Sequence, residues 1–247
     1  MANDLMAMRF GRGMVRDNLE RAVNEGRLEM LPDGSFTPPK NVESSSYLHV
    51  KSTRKLGCNF LNDFLFHHAY DKTAVPFGCR NCYKVKIVPA NFNGLIALRG
   101  ILEEAPYHSK CGIDFFNPHS RDNYAGFLYL NGLDAAKNAF REMRALVDSH
   151  PDLGRTVQMT IKRGCSNMEA ACGPSDNWTF RDGMAELETV LQERFKPEPS
   201  APTDYRLRRM ASMLNWLQIA YNLKDDSYLS FTGGKSLHRP TVSYPVE

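Results

Sequence analysis

The chain has 247 residues, of which 42% are hydrophobic and 24% charged, with a formal net charge of +3. Such a composition builds a buried core without help from metal or disulfides, and it exerts no strong pull toward nucleic acid or an acidic membrane. Asp4 and Arg9 interrupt the first apolar stretch, unlike a signal peptide, and no uncharged apolar run approaches the roughly 20 residues that span a bilayer. Six cysteines without a secretory signal point to the cytoplasm and to reduced, buried or metal-ligating thiols rather than a disulfide framework.

Residues 13–27 read as a helix, with Val15, Leu19 and Val23 four apart. Leu28 to Thr37 reads as a hairpin around the turn signal Asp33-Gly34. Pro38 to Ser46 is a polar connector, Tyr47 to Lys51 a short strand, and Asn59 to Tyr70 a helix with Asn59 as its N-cap. Tyr83 to Val88 alternates strictly, the mark of a half-buried strand. A helix over Asn91 to Ala105 follows, then strands at Cys111 to Phe116 and Tyr124 to Leu130. Leu133 to Ser149 is a helix that buries Ala136, Phe140, Met143 and Val147, and Thr156 to Lys162 is the last core strand. Beyond it come a helix at Gly183 to Phe195, a proline-rich linker at Lys196 to Thr203, and an amphipathic helix at Tyr205 to Leu223. Its seam is Leu207, Met210, Leu214, Leu217 and Tyr221, and residues 224–247 read as an extended arm.

Strand, helix, strand, strand, helix, strand is the split βαβ order. With right-handed crossovers it predicts an α+β protein on a ferredoxin-like βαββαβ core, an antiparallel sheet in the order 4-1-3-2 with both helices on one face. The expected division is 1–78 as an N-terminal helix and hairpin extension, 79–165 as the core, and 166–247 as a C-terminal helical extension and arm.

In that topology the start of the first core strand lies beside the end of the fourth. The Cys79-x-x-Cys82 pair, preceded by Gly78, then meets Cys165 across strands roughly 4.8 Å apart. Cys58, on the approach to Cys79, or Cys172, after Cys165, completes the set. Cys111 shares parity with Ile113 and Phe115 and reads as a buried thiol. Cys58, Cys79, Cys82, Cys165 and Cys172 are therefore the candidate metal ligands. Dispersed ligands with cysteines to spare suit a [4Fe–4S] cluster better than zinc, whose structural sites usually show two compact pairs.

Lys84 and Lys86 point away from the helices. They are either solvated or paired with carboxylates from an added segment, or they hold an anionic ligand beside the cysteines with Arg163 and Arg80 at the rim. Lys84, Lys86 and Arg163 are the candidate ligand-binding residues. His67-His68 reads as a capping or core pair. Gly233-Gly234-Lys235-Ser236 lacks the upstream glycine of a phosphate loop, with Leu229 in its place. Ser166 and Glu169 fit a capping box after the last strand.

Residues 123–130 (NYAGFLYL) and 132–137 (GLDAAK) resemble the RNA-recognition motif. The resemblance implies that Phe127 and Tyr129 form a stacking platform. The first strand departs from the motif by carrying Lys84 and Lys86 where the second aromatic belongs.

The expectation is a cytoplasmic iron–sulfur protein, an enzyme or maturation factor. It would act on an anionic small molecule or on a redox or maturation partner protein. The alternatives are a zinc-stabilised RNA-binding or protein-interaction module built like an RNA-recognition motif, and a structural subunit with buried cysteines.

Overall fold

The computed structural model describes residues 5–38, 46–52, 57–197 and 204–237. In chain order a short hairpin, β1 (Arg9–Phe10) and β2 (Gly13–Met14), leads into α1 (Val15–Asn24). A second hairpin follows, β3 (Glu29–Met30) and β4 (Phe36–Thr37), then β5 (Tyr47–Lys51) and a π-helix, Asn59–Ala69. A short turn of 3₁₀ helix, Phe77–Cys79, opens the sheet-forming middle: β6 (Cys82–Val88), α2 (Phe92–Glu104), β7 (Ser109–Ile113), β8 (Tyr124–Asn131), α3 (Leu133–Ser149) and β9 (Gln158–Arg163). The chain ends with α4 (Ser166–Cys172), α5 (Met184–Glu193), α6 (Tyr205–Asn222) and a 3₁₀ segment, Asp226–Phe231.

Five strands form one antiparallel sheet in the order β5-β7-β8-β6-β9. Alternation in β6 puts Val85 and Ile87 into the core, where α2 contributes Leu95, Leu98 and Leu102 and α3 contributes Ala136, Ala139, Met143 and Val147. The Asn91 side chain caps α2 by accepting from the Gly94 amide at 2.9 Å. Gly126 lets α2 approach β8 closely: a Cβ there would lie 2.6 Å from Leu98 Cδ2. Removing one of these leucine side chains costs about 2–5 kcal/mol.

A second core joins the two ends of the chain. Val15, Leu19 and Ala22 of α1, Phe60, Phe64 and Leu65 of the π-helix, and Met184, Leu187 and Leu191 of α5 pack together. Phe10 stacks on Tyr70 at 4.1 Å, and Phe36 bridges Phe195. This packing stands the π-helix and α5 against the sheet face that carries Lys84.

Several expectations change. Beyond β7, Tyr47–Lys51 adds an edge strand to the sheet. The strand expected at Cys111 to Phe116 lies at Ser109–Ile113, because pairing with β5 and β8 on both sides extends it backwards; Phe115 and Phe116 are exposed. The helix after Tyr47–Lys51 is π-helical, and Cys58 rather than Asn59 caps it. The seam read along α6 is largely outward: Leu207, Met210 and Leu214 are exposed, while Trp216 and Ala220 are buried. The expected arm from residue 224 begins as an anchored 3₁₀ segment, in which Asp225 Oδ2 accepts from the Phe92 amide and from Tyr124 Oη, both at 2.7 Å. Residues 39–45 of the connector, 198–203 of the linker and 238–247 of the arm lie outside the described residues. Among the described residues no helix is long and apolar enough to cross a membrane.

Candidate thiol site

The register of β6 against β9 brings distant residues to one end of the sheet. Tyr83 lies opposite Arg163, and the Gly164 amide donates to the Cys82 carbonyl at 2.8 Å. Gly164 then turns the chain with φ +61°, its α-carbon against the Trp178 ring, where any Cβ would collide. The turn delivers Cys165 as the N-cap of α4. Ser166, expected as the cap, is instead the first helical residue and accepts from Lys162 Nζ at 2.5 Å.

From the other side, Cys79 ends the Phe77–Cys79 turn. Glu188 of α5 holds that turn: its carboxylate accepts from the Phe77 amide at 2.5 Å, the Gly78 amide at 2.9 Å and Tyr70 Oη at 3.0 Å. Cys58 enters at the start of the π-helix. Cys58, Cys79, Cys82 and Cys165 thus line one pocket of about 140 Å³ with Lys84, Leu61, Gly78 and Met168.

Lys84 occupies the centre of this arrangement. It is 7% exposed, and its Nζ donates to Cys165 Sγ at 2.9 Å while lying 5.2 Å from the Tyr129 ring centroid. Burial works against its charge, but Cys165, Tyr129 and Cys82 together raise its pKa above the ordinary lysine value. Burial, assisted by Cys165, pushes the Cys58 thiol up to about 11, and burial raises Cys79 further.

The remaining candidates are placed elsewhere. Cys172 turns away toward the Lys72 carbonyl, at 3.7 Å, and lines a separate pocket with Arg9 and Trp178. Cys111 is buried in the main core. Lys86 is committed to Asp114 and Asp122, each at 2.7 Å, and to Ser120 at 3.0 Å. Arg163 clamps backbone, donating to the Arg80 carbonyl at 2.7 and 2.9 Å and to the Ser175 carbonyl at 2.7 Å. His68 meets Arg27, and His67 meets Asn167.

The metal expectation fails. Among the described residues no group of three or more His, Cys, Asp or Glu is placed to hold a metal ion. An ammonium already sits against Cys165, where it competes with a metal ion for the same sulfur. The iron–sulfur protein, its cluster-dependent enzymatic role, and the zinc-stabilised module are all withdrawn on this ground. The aromatic platform expected from the RNA-recognition motif is also covered. Phe127 is 9% and Tyr129 6% exposed, Tyr47 packs edge-on against Phe127, and lysine ammonium groups lie over both rings.

Next to the thiol pocket, and sharing Cys58, Leu61 and Gly78 with it, a cleft of about 1640 Å³ separates the sheet face from α5. Its basic side chains, His49 on β5, Lys110 on β7 and Arg208 on α6, were not singled out from the sequence. Lys110 precedes the strand expected from Cys111, which in the structure begins two residues earlier, at Ser109; its alternation with Cys111 is the signal that places it on the lysine face. Among the described residues neither Lys110 nor Arg208 has an ion-pair partner; Lys110 lies 4.2 Å from the Tyr47 ring centroid. Burial, together with Lys84, lowers the Lys110 pKa, and burial with Lys110, His108 and Arg208 holds His49 down at about 4. Among the described residues the one carboxylate lining the cleft, Glu188, is turned to the Phe77–Gly78 backbone and Tyr70.

Neither family models, nor curated proteins, nor solved structures yield a match to this chain.

Proposed function

We propose that this is a cysteine-dependent protein in which Cys165 is the reactive thiol, held against the Lys84 ammonium. The neighbouring cleft then holds an anionic small molecule whose electrophilic group Cys165 captures. The observation that carries the reading is the contact of 2.9 Å between Lys84 Nζ and Cys165 Sγ inside a pocket walled by three further cysteines. An ammonium beside sulfur favours the thiolate, which is the nucleophilic form. Lys110 and Arg208 supply positive charge where a ligand could meet it. We read the sheet as a ferredoxin-like core with an added edge strand, and a reducing, cytoplasmic compartment suits a protein that works through thiols.

Timed alkylation with iodoacetamide, followed by peptide mass spectrometry, tests the assignment. Cys165 should react first among the six cysteines near neutral pH. Lys84→Met should slow it by about tenfold or more. A Cys165 no faster than the core residue Cys111 overturns the reading.

A further inference from the structure

We infer that Lys84 and Cys165 form a reversible covalent cross-link under peroxide, a sulfenamide bond between Nζ and Sγ. The inference rests on the reactive-thiol reading of Cys165 and adds a redox control to the same site.

The two atoms already touch, and neither backbone needs to move. Lys84 lies mid-strand in β6, paired with Tyr129 on β8 and Lys162 on β9. Cys165 is held by its own carbonyl, which accepts from the Met168 and Glu169 amides at 3.1 and 3.2 Å. The contact of 2.9 Å therefore joins two fixed points, and side-chain torsions alone close it.

The chemistry needs one oxidant, hydrogen peroxide. In the first step the Cys165 thiolate attacks one peroxide oxygen: an S–O bond forms, the O–O bond breaks, and hydroxide leaves. The sulfur is oxidised by two electrons and the peroxide is reduced; the attacked oxygen keeps its hydrogen, so sulfenic acid forms directly, and one proton from solvent converts the hydroxide to water. In the second step the Lys84 amine attacks the sulfenic sulfur. The S–N bond forms, the S–O bond breaks, and the departing hydroxyl takes a proton from nitrogen as water. No further oxidant is consumed.

The second step requires a neutral amine, and the site supplies it on cue. Burial opposes the ammonium of Lys84, and Cys165 leads the groups that keep the proton on. Conversion of the sulfur to a neutral sulfenic acid removes the first of those groups, so the proton leaves Lys84 more readily beside its electrophile. Capture by nitrogen also stops the sulfur before the irreversible sulfinic stage. Burial keeps Cys58 and Cys79 protonated and poorly nucleophilic. Cys82, also against Lys84, is the real competitor for the same sulfur.

The test treats the full chain with hydrogen peroxide, digests it without reductant and maps the peptides. The expected product is a peptide carrying Lys84 joined to one carrying Cys165, lighter than their sum by two hydrogens and separated by dithiothreitol. Lys84→Arg, which keeps the charge but not the amine, should lose the joined pair and accumulate a dimedone adduct at Cys165; Cys82→Ser should keep the pair. A disulfide between Cys82 and Cys165 in its place, or a dimedone-labelled Cys165 in the parent protein with no joined pair, overturns the cross-link. Alkylation of the reduced protein separates the two claims. Fast alkylation at Cys165 without a joined pair removes the cross-link alone, whereas slow alkylation removes the reactive-thiol reading and the cross-link with it.

Discussion

Replacing Glu188 should loosen the wall that holds the thiol pocket. The side chain is 7% exposed and accepts from three donors: the Phe77 amide at 2.5 Å, the Gly78 amide at 2.9 Å and Tyr70 Oη at 3.0 Å. In Glu188→Ala all three lose their acceptor, at about 1–3 kcal/mol for each that stays buried and unpaired. Relief of the buried charge offsets part of this, leaving a net loss of about 3–5 kcal/mol. Glu188→Gln keeps one acceptor oxygen but turns an amide N–H toward a backbone donor, and should cost about 1–2 kcal/mol. Burial, the largest influence, raises the Glu188 carboxyl above its ordinary value, while the Gly78 and Phe77 amides and Tyr70 pull the other way. A folded-state pKa raised above the unfolded one gives stability that is fully present below the unfolded value and is lost as pH rises through the folded value. The stability of the parent protein minus that of Glu188→Gln should therefore be largest in acid and shrink toward neutral pH. Urea unfolding followed by tryptophan fluorescence across that range measures both quantities. An alanine variant within about 1 kcal/mol of the parent, or a difference that grows with pH, would refute the reasoning.

Inorganic pyrophosphate should slow Cys165 alkylation in the parent protein and have little effect in Lys110→Met; equal protection in both would detach the cleft from the thiol. Gly164→Ala places a Cβ at φ +61° against the Trp178 ring. It should cost at least about 1–2 kcal/mol from the backbone alone, read in urea unfolding, and should raise the accessibility of Cys165 to a bulky maleimide. Asp225→Ala frees the Phe92 amide and Tyr124 Oη, and a loss of about 2–4 kcal/mol is expected in the same unfolding assay; no change would mean that the 3₁₀ segment does not anchor α2.

Elements whose pattern is local were readable in the amino acids. The stripe Ala136, Phe140, Met143, Val147 marks a helix that runs over Leu133–Ser149 as expected, although Phe140 is only partly buried, and the alternation of Tyr83 to Val88 appears within Cys82–Val88. The approach of Cys165 to Cys82 was legible because it follows from the pairing of two strands. What escaped depends on partners remote in the chain. The backward extension of β7, which moves Lys110 onto the cleft wall, comes from pairing with β5. Lys86 finds its carboxylates at Asp114, just past β7, and at Asp122 beyond it, a pairing that only the folded loop brings about. Four cysteines do converge, but their spacing says nothing of the ammonium that Lys84 places among them, and that charge separates a thiol pocket from a metal centre.

The pocket draws on β6, on the turn after β9, on the start of the π-helix and, through Glu188, on α5. A nascent chain therefore presents residues 58, 79 and 82 to its surroundings well before residue 165 exists, and residue 188 is made later still. Contacts so far apart along the chain form slowly, so the thiols stay open to mispairing throughout synthesis. Refolding from denaturant should accordingly succeed in the presence of a thiol reductant and yield scrambled disulfide species in air.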